Sequence, residues 1–129
     1  MRRAFAALVL AAVAVLAVIG ISTASGSGTA HSAATTLSLQ ANGGGALKFN
    51  KKSLSAKHGK VTIVMANPSG SGLTHGIAVE GKGVDKDGKK VRPGKKSTVT
   101  VSLKKGKYTF YCPVDGHRAA GMRGTLTVK

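Results

Sequence analysis

Residues 97–112 read STVTVSLKKGKYTFYC. Val99, Val101 and Leu103 alternate with Thr and Ser, and Tyr108, Phe110 and Cys112 alternate with Thr109 and Tyr111. Successive side chains of a strand point to opposite faces, so each run presents one face to a core and one to solvent. Lys104-Lys105-Gly106 turns the chain between them. Two consecutive strands follow, and the lone cysteine points inward. Upstream, KVTIVMA at 60–66 is the most apolar internal run and reads as a core strand, ended by Asn67-Pro68-Ser69-Gly70. Residues 76–80 make a short strand with Ile77 and Val79 on one face and Ala78 on the other. Residues 36–41 and 46–49 read as two more, joined by a flexible turn at Asn42-Gly43-Gly44-Gly45. Residues 125–129 close the chain with Leu126 and Val128 buried. The segment 81–96 is rich in Gly, Lys and Asp and reads as exposed loop. Seven or eight short strands, 18 glycines, no tryptophan and few helical signals specify an all-β fold, an antiparallel Greek-key β-sandwich.

The first residues have a different character. Met1-Arg2-Arg3 precedes an uninterrupted apolar run over 4–21, which has the charged and hydrophobic regions of an export signal. Small residues in Ser22-Thr23-Ala24 and Gly28-Thr29-Ala30 fit cleavage after Ala24 or after Ala30. The run also approaches the length of about 17–25 residues that spans a bilayer, so a retained membrane tether through 4–21 is the alternative. The organisation expected is a signal over 1–24, a Ser/Gly/Ala/Thr-rich linker over 25–35 and one folded domain over 36–129. Either route leaves the domain outside the cytoplasm, in a periplasm or extracellular.

Of 129 residues, 20 are Lys or Arg and 4 are Asp or Glu, a formal charge of +16. Such a field favours anionic partners: acidic proteins, a membrane surface or cell-wall polymers. Nucleic acid is not expected, because the lysines are dispersed and no aromatic residues are interleaved among them for base stacking. Nothing in the pattern calls for oligomerisation, and a monomer is expected.

Export makes Cys112 informative. It has no partner for an internal disulfide, so it is paired with another molecule, buried and inert, or a ligand. Its surroundings read CPVDGHRAAGM over 112–122, which places a thiol, an imidazole and a thioether at even intervals in one connection between strands. Connections of this length in a compact domain are commonly functional. Thiolate and thioether suit Cu(I), and imidazole suits both copper states; two His and one Cys with a distant Met form a blue-copper site. His75 supplies the missing imidazole, since it follows the turn after the core strand, where loops at one end of a sandwich cluster. His31 lies in the linker and His58 among lysines, and both read as solvated.

The stretch YTFYCPVDGHRAAGMRGTLTV, residues 108–128, resembles the copper loop of the cupredoxins, the family of plastocyanin, azurin, auracyanin and rusticyanin. Its Cys-x4-His-x4-Met spacing is most similar to auracyanin and rusticyanin, and a looser resemblance extends from about residue 47 to 129. The resemblance implies one copper ion cycling between Cu(I) and Cu(II), with His75, Cys112 and His117 as equatorial ligands and Met122 as the axial one. Gly76 and Asn67 are expected beside them. Many cupredoxins carry Asn or Asp after the first His; Gly76 keeps only the backbone N–H that can face the thiolate.

The function expected is an exported carrier of single electrons between redox partners. His117 is the route to the surface, inside a small apolar docking patch of Pro113, Val114, Ala119, Ala120 and Gly121, with lysines farther out to steer an acidic redox protein. An extracytoplasmic copper carrier or buffer is the competing reading, although few methionines are present to release an ion readily. An enzyme is not expected: copper oxidases and nitrite reductases need further His clusters, and a binuclear centre needs a second Cys.

Overall fold

The computed structural model describes residues 33–129. The signal and linker expectations, and His31, lie outside these except for the last linker residues, where the first strand already begins at Thr35. Eight strands follow in order: β1 (Thr35–Gln40), β2 (Ser53–Ala56), β3 (Gly59–Ala66), β4 (Ala78–Gly81), β5 (Val84–Asp87), β6 (Lys96–Leu103), β7 (Gly106–Tyr111) and β8 (Arg123–Val128). They form a three-stranded sheet, β1-β3-β6, and a five-stranded sheet, β2-β8-β7-β4-β5.

The core between the sheets comes from the alternation in the sequence. On β3, Val61, Ile63 and Met65 are fully buried while the residues between them are partly or wholly exposed. Val99 and Leu103 of β6, Tyr108 and Phe110 of β7, and Leu126 and Val128 of β8 join them. Phe110 meets Phe49 with ring centroids 5.8 Å apart. Rows of such side chains facing each other exclude water from both sheets and supply most of the driving force for the fold.

The sandwich differs from an all-antiparallel one in two pairs. β1 runs parallel to β3, and β2 runs parallel to β8. The chain crosses from β1 to β2 in the other sheet and back again, so β1 and β3 lie in the same sheet and run in the same direction. Alternation tells which face of a strand is buried and nothing about its neighbour's direction.

Three local expectations are corrected. Residues 46–49 form no strand; Phe49 makes only an isolated bridge to Ala41, and the actual strand is the short β2, whose four residues alternate Ser-Leu-Ser-Ala. The segment 81–96 is not all loop, because β5 pairs with β4 and Val91 bridges His75. β5 is an edge strand with polar side chains facing water, which its composition disguised as loop. Ala78 is as fully buried as Ile77 and Val79, flanked in register by the larger Tyr111 and Asp87.

Candidate metal centre

One end of the sandwich brings together residues that stand far apart in the chain. β7 ends at Tyr111 and delivers Cys112, fully buried, at the mouth of the core. The connection to β8 closes back on itself: the Cys112 N–H donates to Met122 O at 3.0 Å, and the Met122 N–H donates to His117 O at 3.0 Å. Tight turns between these bonds need positive φ, which Gly116 and Gly121 supply at 80° and 110°. Met122 is fully buried at the loop's base, and His117 is half-buried at its rim.

His75 arrives from the other side. Its backbone pairs with Val91 in both directions, His75 N–H to Val91 O at 3.1 Å and Val91 N–H to His75 O at 2.7 Å. Asn67 secures both flanks of this residue. Its Nδ2 donates to Leu73 O at 2.8 Å and to Val91 O at 2.9 Å, while Ser71 Oγ donates to its Oδ1 at 2.6 Å. Asn67 therefore holds the segment that carries His75, itself buried and fully hydrogen-bonded at both ends of its amide.

The three donor atoms converge. His75 Nδ1 and His117 Nδ1 are 3.2 Å apart, and Cys112 Sγ lies 3.9 Å from the first and 3.5 Å from the second. A point equidistant from all three lies about 2 Å from each, the length of a metal–imidazole or metal–thiolate bond. Among the described residues, these three form the one group of His, Cys, Asp or Glu side chains close enough to share an ion. His75 Nε2 is buried without a hydrogen-bond partner. Its Nδ1 is the nitrogen that faces the other two donors.

The electrostatics suit a ligand set and not a charged apo cluster. Burial lowers the pKa of His75, and the neighbouring His117 lowers it further. Its imidazole is thus kept neutral, the form that binds a metal. Burial pushes the Cys112 thiol up, while the N–H groups of Val114 and Gly76 and the charge of Lys90 pull it back. The Gly76 N–H reaches Sγ at 3.4 Å. A metal held here by Cys112 would displace the thiol proton, and those N–H groups would then face the resulting thiolate.

The family model of copper-binding proteins of the plastocyanin/azurin family matches residues 35–129. The chain belongs to this family. As in the sequence reading, it is a cupredoxin, and its cofactor is copper, which fits a soft thiolate beside two imidazoles. Solved structures agree on the fold. Auracyanin B matches at 25% identity with a TM-score of 0.65, over 75% of this chain and 89% of that one. A dithionite-reduced auracyanin from the photosynthetic bacterium Roseiflexus castenholzii matches at 23% identity and a TM-score of 0.65, over 74% of this chain and 97% of that one. The copper nitrite reductase of Nitrosomonas europaea shares the fold at 21% identity and a TM-score of 0.62, over 74% of this chain but only 41% of its own. No curated protein sequence matches the cupredoxin significantly.

The expected docking patch is partly open: Ala119 and Ala120 are exposed, and Pro113, Val114 and Gly121 are half-buried. His58 is exposed, with its Nδ1 3.1 Å from Lys129 O, away from the donor cluster. Four further residues shape the site. Ser71 braces Asn67 as above. Ser97 Oγ accepts from Ile77 N–H at 3.2 Å and donates to Lys89 O at 2.5 Å, which fixes the strand that follows Gly76. Glu80 pairs with Arg118 beside the loop. Nothing in their spacing distinguishes them from ordinary strand and loop residues.

Proposed function

We propose that this cupredoxin binds one copper ion through His75, Cys112, His117 and Met122 and carries single electrons between redox partners outside the cytoplasm. The observation that supports this reading best is the convergence of His75 Nδ1, His117 Nδ1 and Cys112 Sγ within 3.2–3.9 Å of one another. Bound copper supplies the one-electron couple between Cu(I) and Cu(II).

The chain's own residues make that couple usable. Electron transfer is fast when the ligands scarcely move as the charge changes. His75, Cys112 and Met122 are fully buried at the end of a packed sandwich, where interiors are dense and resist rearrangement. Gly76 N–H donates to Cys112 Sγ and stabilises its negative charge. His117 is the half-buried member of the set, so its ring edge is the path to the surface. Pro113, Val114, Ala119, Ala120 and Gly121 surround it with a small surface of low polarity on which a partner docks. The excess of lysine steers an acidic redox protein toward it. The apolar segment 4–21 takes the domain out of the cytoplasm. Buried donors also argue against a buffer, which must release its ion.

The test is direct. Cu(II) added to the purified protein gives an intense blue thiolate-to-copper band and a reversible one-electron wave without metal loss, and Cys112→Ser abolishes the band. A colourless product overturns copper binding at this site, and loss of the ion on reduction overturns the carrier role. The rate of reaction with an acidic redox protein falls as ionic strength rises; a flat salt response removes the steering.

A further inference from the structure

The loop that carries His117 is fastened to the sheet at its base, through the Cys112–Met122 backbone bond. Its middle is held by a different device. The Arg118 guanidinium lies over the Tyr111 ring, 4.3 Å from the centroid, and its Nη2 donates to Glu80 Oε1. Arg118 follows His117 directly, and Tyr111 directly precedes Cys112. The Tyr111 hydroxyl is 3.4 Å from both Asp85 Oδ1 and Asp87 Oδ1 on the edge strand β5. One chain of contacts therefore links β5, β7, β4 and the centre of the loop.

Two features mark this arrangement as more than a chance surface pair. Lys and Arg number 20 against 4 acidic residues, yet among the described residues Arg118–Glu80 is the only salt bridge between a Lys or Arg and an Asp or Glu side chain. Three of the four acids are gathered here, one on Arg118 and two on the hydroxyl of the ring beneath it. An exposed ion pair alone contributes little, and this one is 40% exposed on Arg118 and 33% on Glu80. A planar guanidinium stacked on a ring that is itself anchored has fewer orientations open to it, so the pair holds one geometry.

We propose that Arg118 is a positioning residue: stacked on Tyr111 and paired with Glu80, it clamps the His117 loop to the sheet and fixes His117 relative to Cys112. The clamp joins the residue beside one copper donor to the residue beside the other, on the outside of the sandwich. It restrains the loop before copper arrives and limits how far His117 moves when an electron does. This last role rests on the copper reading above; the restraint of the loop does not.

The experiment therefore begins with the metal-free protein. Amide hydrogen exchange is compared in wild type, Arg118→Ala, Arg118→Lys, Glu80→Gln and Tyr111→Phe. Restraint by a stacked and paired guanidinium corresponds to a change of about fivefold to tenfold in the loop's opening equilibrium. Arg118→Ala is expected to raise exchange by that factor at Ala120, Gly121 and Met122, whose N–H groups bond within the loop. The amides of β3 and β6 keep wild-type protection. Arg118→Lys, Glu80→Gln and Tyr111→Phe, which keeps the ring but loses its hydroxyl anchor, give intermediate increases. Unchanged loop exchange in Arg118→Ala overturns the clamp, and so does an increase spread equally over β3 and β6, which marks general destabilisation. In the copper-loaded protein, Arg118→Ala stays blue but exchanges electrons with itself several-fold more slowly. A wild-type protein that never turns blue defeats the copper reading and leaves the exchange comparison to judge the clamp; a blue variant with an unchanged self-exchange rate removes the clamp's role in electron transfer.

Discussion

Replacing Gly76 with alanine tests how tightly the centre is built. A Cβ at this position would stand 3.2 Å from both Cδ and Cγ of Pro113 and 3.3 Å from Lys89 O, closer than ordinary van der Waals contact. Neither neighbour yields cheaply. The proline ring is rigid and bonded directly to Cys112, and Lys89 O is held by Ser97 Oγ at 2.5 Å. Overpacking of this kind costs about 1–3 kcal/mol. Alanine also restricts the unfolded chain, which returns about 0.4–1 kcal/mol. The net expectation is a loss of about 1–2 kcal/mol. The strain falls on the Gly76 N–H bond to Cys112 Sγ, so the copper-loaded variant also shifts its blue band and its reduction potential. Urea denaturation of the metal-free protein measures the stability term. Pro113→Ala and the double variant complete a cycle, in which removing the ring relieves the alanine and gives a coupling of about 0.5–2 kcal/mol. A Gly76→Ala protein as stable as wild type, or two costs that simply add, would refute the account of why glycine stands here.

Gly124→Ala is more severe, because its Cβ would stand 2.6 Å from Lys52 O and closer still to the Phe110 ring; thermal unfolding should show a loss of about 3 kcal/mol or failure to fold, and a near-neutral variant contradicts the packing. The Tyr111 phenol is pushed up to about 12 by burial and then by Asp87, Asp85 and Glu80, against the opposing pull of Arg118. Removing negative charge favours the phenolate, so Asp85→Asn with Asp87→Asn should lower its alkaline midpoint in ultraviolet difference titration; an unchanged or higher midpoint sinks this. Copper that binds only the folded state at 100 times its dissociation constant adds about 2.7 kcal/mol, seen as a higher melting temperature reversed by a chelator; an equal gain in Cys112→Ser would place the ion elsewhere.

How much was legible beforehand differs between the parts of the centre. Cys112, His117 and Met122 lie in one short connection, and three soft or borderline donors at even intervals announce themselves without any knowledge of the fold. His75 is 37 residues from Cys112 in the chain and came into view only through the turn before it and the family resemblance. Asn67 was expected near the ligands; it turns out to grip Leu73 and Val91, the flanks of His75, and not a donor atom. Arg118, Glu80, Ser71 and Ser97 gave no signal at all, because their partners sit on strands whose pairing is not written in local order.

The stretch 97–112 by itself determined two strands, their buried faces and an inward thiol, and the structure keeps all of these apart from Val101, which is only half-buried. Local alternation suffices there because burial of one face depends on side chains two residues apart. The parallel pairing of β1 with β3 and β2 with β8, the polar edge strand β5, and the meeting of His75 with Cys112 and His117 were decided by tertiary structure alone. Each depends on which distant segment fills the neighbouring space, and only the packed sandwich fixes that.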